Sequence, residues 1–222
     1  GLSSTNLSAL DATQAGALTT TQIGSFSTTQ VGGLNATDIA ELSATQVGAF
    51  SRTQIVRIGT EAIAALDTTQ IAAIATTVLQ ALNATQLGAL EASDVAEFTA
   101  TQIASLSTTQ VRGLGATFIA GLSDSQVAAL TTTQIGSLTT TGLSALEATQ
   151  TAALTTTQVR SLSTTQLLAL NATDVAEFTT TQVGALTNTQ AQSLTSTQIG
   201  GLADTQIQAF TTTQLSSLST TQ

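Results

Sequence analysis

Three pairs of carboxylates are the residues most able to do chemistry: Asp38 with Glu41, Asp94 with Glu97, and Asp174 with Glu177. Residues three apart on a helix share a face. Each pair could therefore hold a calcium ion between neighbouring turns, or work as an acid/base couple of the glycosidase kind. The plainer expectation is that Asp is a helix-capping partner and Glu a solvated end. Asn6, Asn35, Asn83 and Asn171 lie in Asn-x-Ser/Thr glycosylation sequons, and are expected to act as helix N-caps. Arg52, Arg57, Arg112 and Arg160 are scattered and read as solvated charges. Phe118, Val78 and Gly142 break an otherwise regular pattern, as local repacking or as a contact patch. On balance no residue is assigned a catalytic, cofactor-binding or metal-ligating role, and no cofactor is expected.

Composition narrows the chemistry further. The 222 residues include no His and no Cys, and the only cations are four Arg. Without His or Cys there is no zinc, haem or iron–sulfur site of the usual kind. There is also no histidine proton shuttle and no Ser-His or Cys-His nucleophile. Without Lys there is no Schiff base and no phosphate-binding P-loop. A net charge of -9 argues against a nucleic-acid partner. No run of residues is apolar for long enough to insert in a membrane.

The elements that must position these residues are written in octads. From Leu2 onward, 27 complete octads follow without insertion or deletion, and a partial one closes the chain. The consensus is Leu-Ser/Thr-Thr-Thr-Gln-Val/Ile-Gly/Ala-Ala, as in Leu18 to Ser25 or Leu130 to Ser137. Position 2 is almost always Ser, Thr, Asp, Asn or Gly, the residues that cap a helix start. Three residues later comes Gln, the reciprocal partner of a capping box. Positions 1 and 6 are apolar and fall at N′ and N4, the two ends of a hydrophobic staple. Three signals thus agree on one phase: a helix of five or six residues from position 3 to about position 8, and a corner at the next Leu. Gly or Ala at positions 7 and 8 suits close approach and unwinding there.

The expected fold is all-α: a solenoid or superhelix of very short helices, one per 8-residue repeat, with two to four octads per turn. Residues 1–222 read as a single uninterrupted octapeptide-repeat array. No fixed over-period of 16 or 24 residues is visible in the Phe and Glu positions. A parallel β-solenoid is the runner-up, since Thr, Val and Ile favour strands. Against it, positions 1 and 6 have opposite parity, so a straight strand cannot bury both. One continuous helix would turn its Leu column away from any single stripe. Two buried side chains per octad fall short of the entropy of ordering eight residues, so stability must come from neighbouring coils.

The octad Leu162-Ser-Thr-Thr-Gln-Leu-Leu-Ala169 resembles repeats of very large bacterial surface or secreted proteins of the adhesin type. That resemblance implies an exported, Cys-free, acidic structural protein. The Leu-Thr-x-x-Gln-Val segment is also similar to the first helix of transcription-activator-like effector repeats, but their 34-residue period and basic charge are missing, so DNA reading is not carried over. The Thr runs at positions 2–4 resemble the regular faces of ice-binding solenoids, unless the hydroxyls bond their own backbone. The expected function is a spacer, stalk, filament or matrix element outside the cell. The alternative is a binding module with ice, a glycan surface or calcium as ligand. The chain opens within an octad at Leu2 and stops mid-helix at Thr221–Gln222, which suggests a fragment of a longer array or a subunit whose ends stack on the next copy, end to end or laterally.

Overall fold

The computed structural model describes residues 3–220. Gly1, Leu2, Thr221 and Gln222 lie outside the described residues, and with them the expected mid-helix stop. Among the described residues there are 27 α-helices of four to six residues, one in each octad, and no strand. The fold is an all-α solenoid in the expected phase, and the β-solenoid falls away.

The octad beginning at Leu106 shows why each helix starts and stops where it does. Leu106 and Ser107 are both extended, at φ −58°, ψ 138° and φ −70°, ψ 155°. Two consecutive extended residues turn the chain out of one helix and into the next. Ser107 Oγ accepts from the Gln110 backbone N–H at 3.2 Å, and Gln110 Oε1 accepts from the Ser107 N–H at 2.9 Å. Both halves of the capping box are therefore made, and two of the N–H groups that a helix start leaves unpaired are satisfied. The helix Thr108–Gly113 ends when the Leu114 N–H bonds back to the Val111 carbonyl at 3.2 Å. No residue has a positive φ, glycines included. The expected unwinding at glycine thus does not occur, because the corner is made by extended residues and needs no left-handed one. Close approach is what glycine provides. A Cβ on Gly113 would lie 2.6 Å from Ala84 Cβ, and one on Gly48 would lie 2.9 Å from the Ala73 carbonyl oxygen.

The chain divides into two compact units, Gly1–Gly121 and Leu122–Gln222. In the first, Thr28–Gly32 packs on Arg52–Ile55, and Ala44–Val47 on Thr68–Ala73. In the second, Thr132–Ser137 packs on Thr156–Ser161, and Asn188–Ser193 on Thr212–Ser217. Contacts thus run from each helix to the third one along. Positions 1 and 6 form the core of both units. Ile23, Ile39, Ile71, Val127 and Val183 at position 6 are fully buried, and Leu106, Leu130 and Phe178 at position 1 nearly so. Each such pair removes two large apolar side chains from water, worth about 1.5–3 kcal/mol apiece.

Candidate functional site

The glutamine at position 5 does more than the capping its spacing implies. Gln54 accepts the Ser51 N–H at Oε1, over 2.8 Å. Its Nε2 reaches the preceding coil and donates to the Ile23 carbonyl at 2.9 Å and the Phe26 carbonyl at 3.0 Å. The acceptors lie 31 and 28 residues earlier, at positions 6 and 1 of the repeat. Ile23 also receives the Phe26 N–H, at 3.2 Å, so both lone pairs of its oxygen are used.

The arrangement recurs. Gln70 bonds Ile39 and Leu42, Gln86 bonds Ile55 and Ile58, and Gln102 bonds Ile71 and Ile74. In the second unit, Gln158 bonds Val127 and Leu130, and Gln190 bonds Val159 and Leu162. These amides are buried; Gln70 is 1% exposed. A buried amide is tolerated because its oxygen and both its hydrogens are matched. Position 5 is therefore a latch between coils. Because the latch spans 28 to 31 residues while packed helices are three octads apart, one superhelical turn in each unit takes between three and four octads. Gln14 and Gln22 keep the capping half of the arrangement and have exposed side chains.

The acidic pairs sit where the latch is replaced. Asp38, Asp94 and Asp174 still accept from their N-cap N–H groups, from Asn35 at 2.8 Å, Glu91 at 2.8 Å and Asn171 at 3.1 Å. The capping expectation for Asp thus holds. A carboxylate is shorter by one methylene and carries no donor, so it cannot bridge to the carbonyls of the preceding coil. Asp38 instead accepts from Ser8 Oγ. The glutamates are half-buried acceptors rather than solvated ends: Glu97 accepts from Thr68 Oγ1, and Glu177 from Thr151 Oγ1 at 3.2 Å. A cavity of about 20 Å³ lies beside Asp38 and Glu41 against Leu7 and Leu10, and one of about 10 Å³ beside Asp174 and Glu177 against Leu143 and Leu146. Neither has room for a sugar. Among the described residues no three Asp, Glu, His or Cys side chains gather into a metal-sized group.

Asn35, Asn83 and Asn171 are N-caps as expected. Asn6 is not: Ser3 caps that helix, and Asn6 is the residue whose N–H it receives, at 3.1 Å. Asn6 stands at position 5 of its octad, so the sequon misled. The four arginines are exposed, as expected of solvated charges. Phe118 is buried and meets Phe98 with ring centroids 6.4 Å apart, which is repacking in place of a latch. The hydroxyls divide by column. Position 2 is spent on caps, whereas Thr20, Thr21, Thr108, Thr109, Thr132 and Thr133 at positions 3 and 4 face solvent.

One carboxyl is measurably shifted. Asp67 caps Thr68–Ala73, and the Gln70 N–H, then the Thr69 hydroxyl, hold its acidity constant below the ordinary carboxylate value. No helix is long and apolar enough to cross a membrane, among the described residues.

Residues 103–140 match the ALTTAQ repeat family. A comparison with the curated proteins finds no match. The family match and the 27 evenly spaced helices make this a tandem-repeat protein.

Proposed function

We propose that this chain is a non-enzymatic structural element, a spacer, stalk, filament or matrix component of a bacterial surface or the extracellular space. The observation that carries the reading is the buried glutamine latch. Each coil presents carbonyls at positions 6 and 1 to the coil that follows, and receives amides from it, so every coil is a template for the next. Length then grows by equal increments, as in other solenoids. The absence of Cys suits an oxidising compartment in which no cross-linking is wanted.

The same contact supports end-to-end association. Gln14 and Gln22 offer amides with half-buried Leu10, Leu18 and Phe26, while Ile199 and Ile207 are half-buried and Leu215 is 45% exposed. These are the donor and acceptor halves of one interface. Copies joined through them would form an open, head-to-tail series. Analytical ultracentrifugation across a concentration series, with electron microscopy of the same samples, tests this. Association into fibres of uniform width supports the reading. A single monomeric species at every concentration, with isolated particles, counts against self-association, and immunolocalisation inside the cell counts against a surface role.

The exposed Thr at positions 3 and 4 supports a second reading, a binding module for ice or a glycan surface. Thermal hysteresis, or retention on an insoluble glycan that is lost on replacing Thr108, Thr109, Thr132 and Thr133 by Ala, would favour it. Calcium binding at the acidic pairs predicts a calcium-dependent rise in melting temperature.

A further inference from the structure

The octads that lack the latch are not scattered. In the first unit position 5 is Asp38, Ala62, Asp94 and Phe118, at successive spacings of 24, 32 and 24 residues. In the second it is Gly142 and Asp174, spaced by 32. One superhelical turn takes between three and four octads, so spacings of 24 and 32 residues bring each of these octads onto the one before it. Ala36–Ala40 packs on Thr60–Ile63, and Ala92–Ala96 on Ala116–Ala120. Asp174 shares a cavity with Leu143 and Leu146, the carbonyl-bearing positions that a glutamine there would reach. Val78 is the one further departure in the first unit, 16 residues from both Ala62 and Asp94, and so off this line. A non-integral period explains why no fixed over-period is visible in the sequence.

We propose that the octads beginning at Leu34, Ile58, Leu90 and Leu114 form a latch-free seam along the first unit, along which successive coils part before they part elsewhere. Beside Gln70, Gln86 and Gln102 the joint between coils holds two charge-neutral hydrogen bonds per octad as well as apolar contact. At the seam it holds apolar contact and single hydroxyl–carboxylate bonds such as Ser8 to Asp38. Six carboxylates also collect in these octads: Asp38, Glu41, Glu61, Glu91, Asp94 and Glu97. Their mutual repulsion opposes closure and weakens with salt. A solenoid with one unlatched edge opens and recloses on that edge while the latched side holds register, so the seam gives it a direction of compliance.

The test adds the missing latch rather than removing one, so it does not risk unfolding. In the full 222-residue chain, Asp94→Gln places an amide to reach the Ile63 and Leu66 carbonyls. Native-state hydrogen exchange of the wild-type chain is expected to be faster in the seam octads than in the Leu66, Leu82 and Leu106 octads. Asp94→Gln is expected to slow exchange in the Ile58 and Leu90 octads roughly tenfold, the value of one to two net hydrogen bonds. Asp94→Asn removes the charge but is too short to bridge, and is expected to give less than a third of that effect. Equal protection of seam and latched octads in the wild-type chain would overturn the proposal. So would an Asp94→Asn effect as large as that of Asp94→Gln, which would make charge, and not the absent latch, the cause.

Discussion

The two units use one repeat with different regularity. In Leu122–Gln222 position 5 departs from Gln only at Gly142 and Asp174, and the chain finishes with Gln182, Gln190, Gln198, Gln206 and Gln214 in unbroken succession. In Gly1–Gly121 it departs at Asn6, Asp38, Ala62, Val78, Asp94 and Phe118. Both units nonetheless form the same coils with the same buried position 6. The difference teaches that staple and cap suffice to form each helix, while the latch adds a separate, dispensable increment that joins coils. Stability in a solenoid is a sum of repeat and interface contributions, and the two units weight the second differently.

The comparison breaks most sharply at position 6. Ile71→Asp in the first unit or Val183→Asp in the second buries a carboxylate among apolar neighbours, and is expected to unfold the adjacent octads at a cost above about 4 kcal/mol. Circular dichroism and urea melts read this, and full helicity in both variants would contradict the staple. Removing a latch is the next largest effect. Gln190→Leu and Gln70→Leu each lose two donated bonds and one cap, with an expected cost of about 2–3 kcal/mol. If the latch is an equal module in the two units, their urea midpoints fall alike.

Glycine separates contact from flexibility. Gly113→Ala drives a Cβ to 2.6 Å from Ala84 Cβ, whereas nothing lies within 4 Å of one built on Gly16. The first is expected to cost about 1–3 kcal/mol through overpacking, and the second to stabilise by about 0.5–1 kcal/mol, since glycine at a helical φ is only an entropic burden. Thermal melts of opposite sign are the expected outcome. The smallest effect is at Asp67. Its lowered acidity constant means that its contribution is fully present above the ordinary carboxylate range and is lost as pH falls through the folded value. Acid titration followed by NMR is expected to show the Asp67 cap releasing later than an ordinary carboxylate would. Asp67→Asn is expected to flatten that step while leaving the fold at neutral pH intact.

Much of this was legible in the residues. The Ser107 and Gln110 spacing implied the capping box, and Leu106 and Val111 implied the staple, because both are interactions within one octad. The capping role of Asp38, Asp94 and Asp174 was legible for the same reason. The half-buried setting of Glu97 and Glu177 was not, since their hydroxyl partners Thr68 and Thr151 sit 29 and 26 residues earlier. Nor was the second half of Gln54, whose acceptors are backbone carbonyls that no side-chain pattern marks. Burial at position 5 was the missing signal: a polar column that never varies to a charged residue of equal length, only to the shorter Asp or to apolar side chains, behaves as an interior one.

Local spacing alone determined that these residues make tiny capped helices with one apolar edge, since caps and staples close within a single repeat. How many octads complete a turn was decided only in three dimensions, by where the glutamine amides find carbonyls and where glycine lets two backbones meet. That number falls between three and four, set by packing distances that have no counterpart in an eight-letter period.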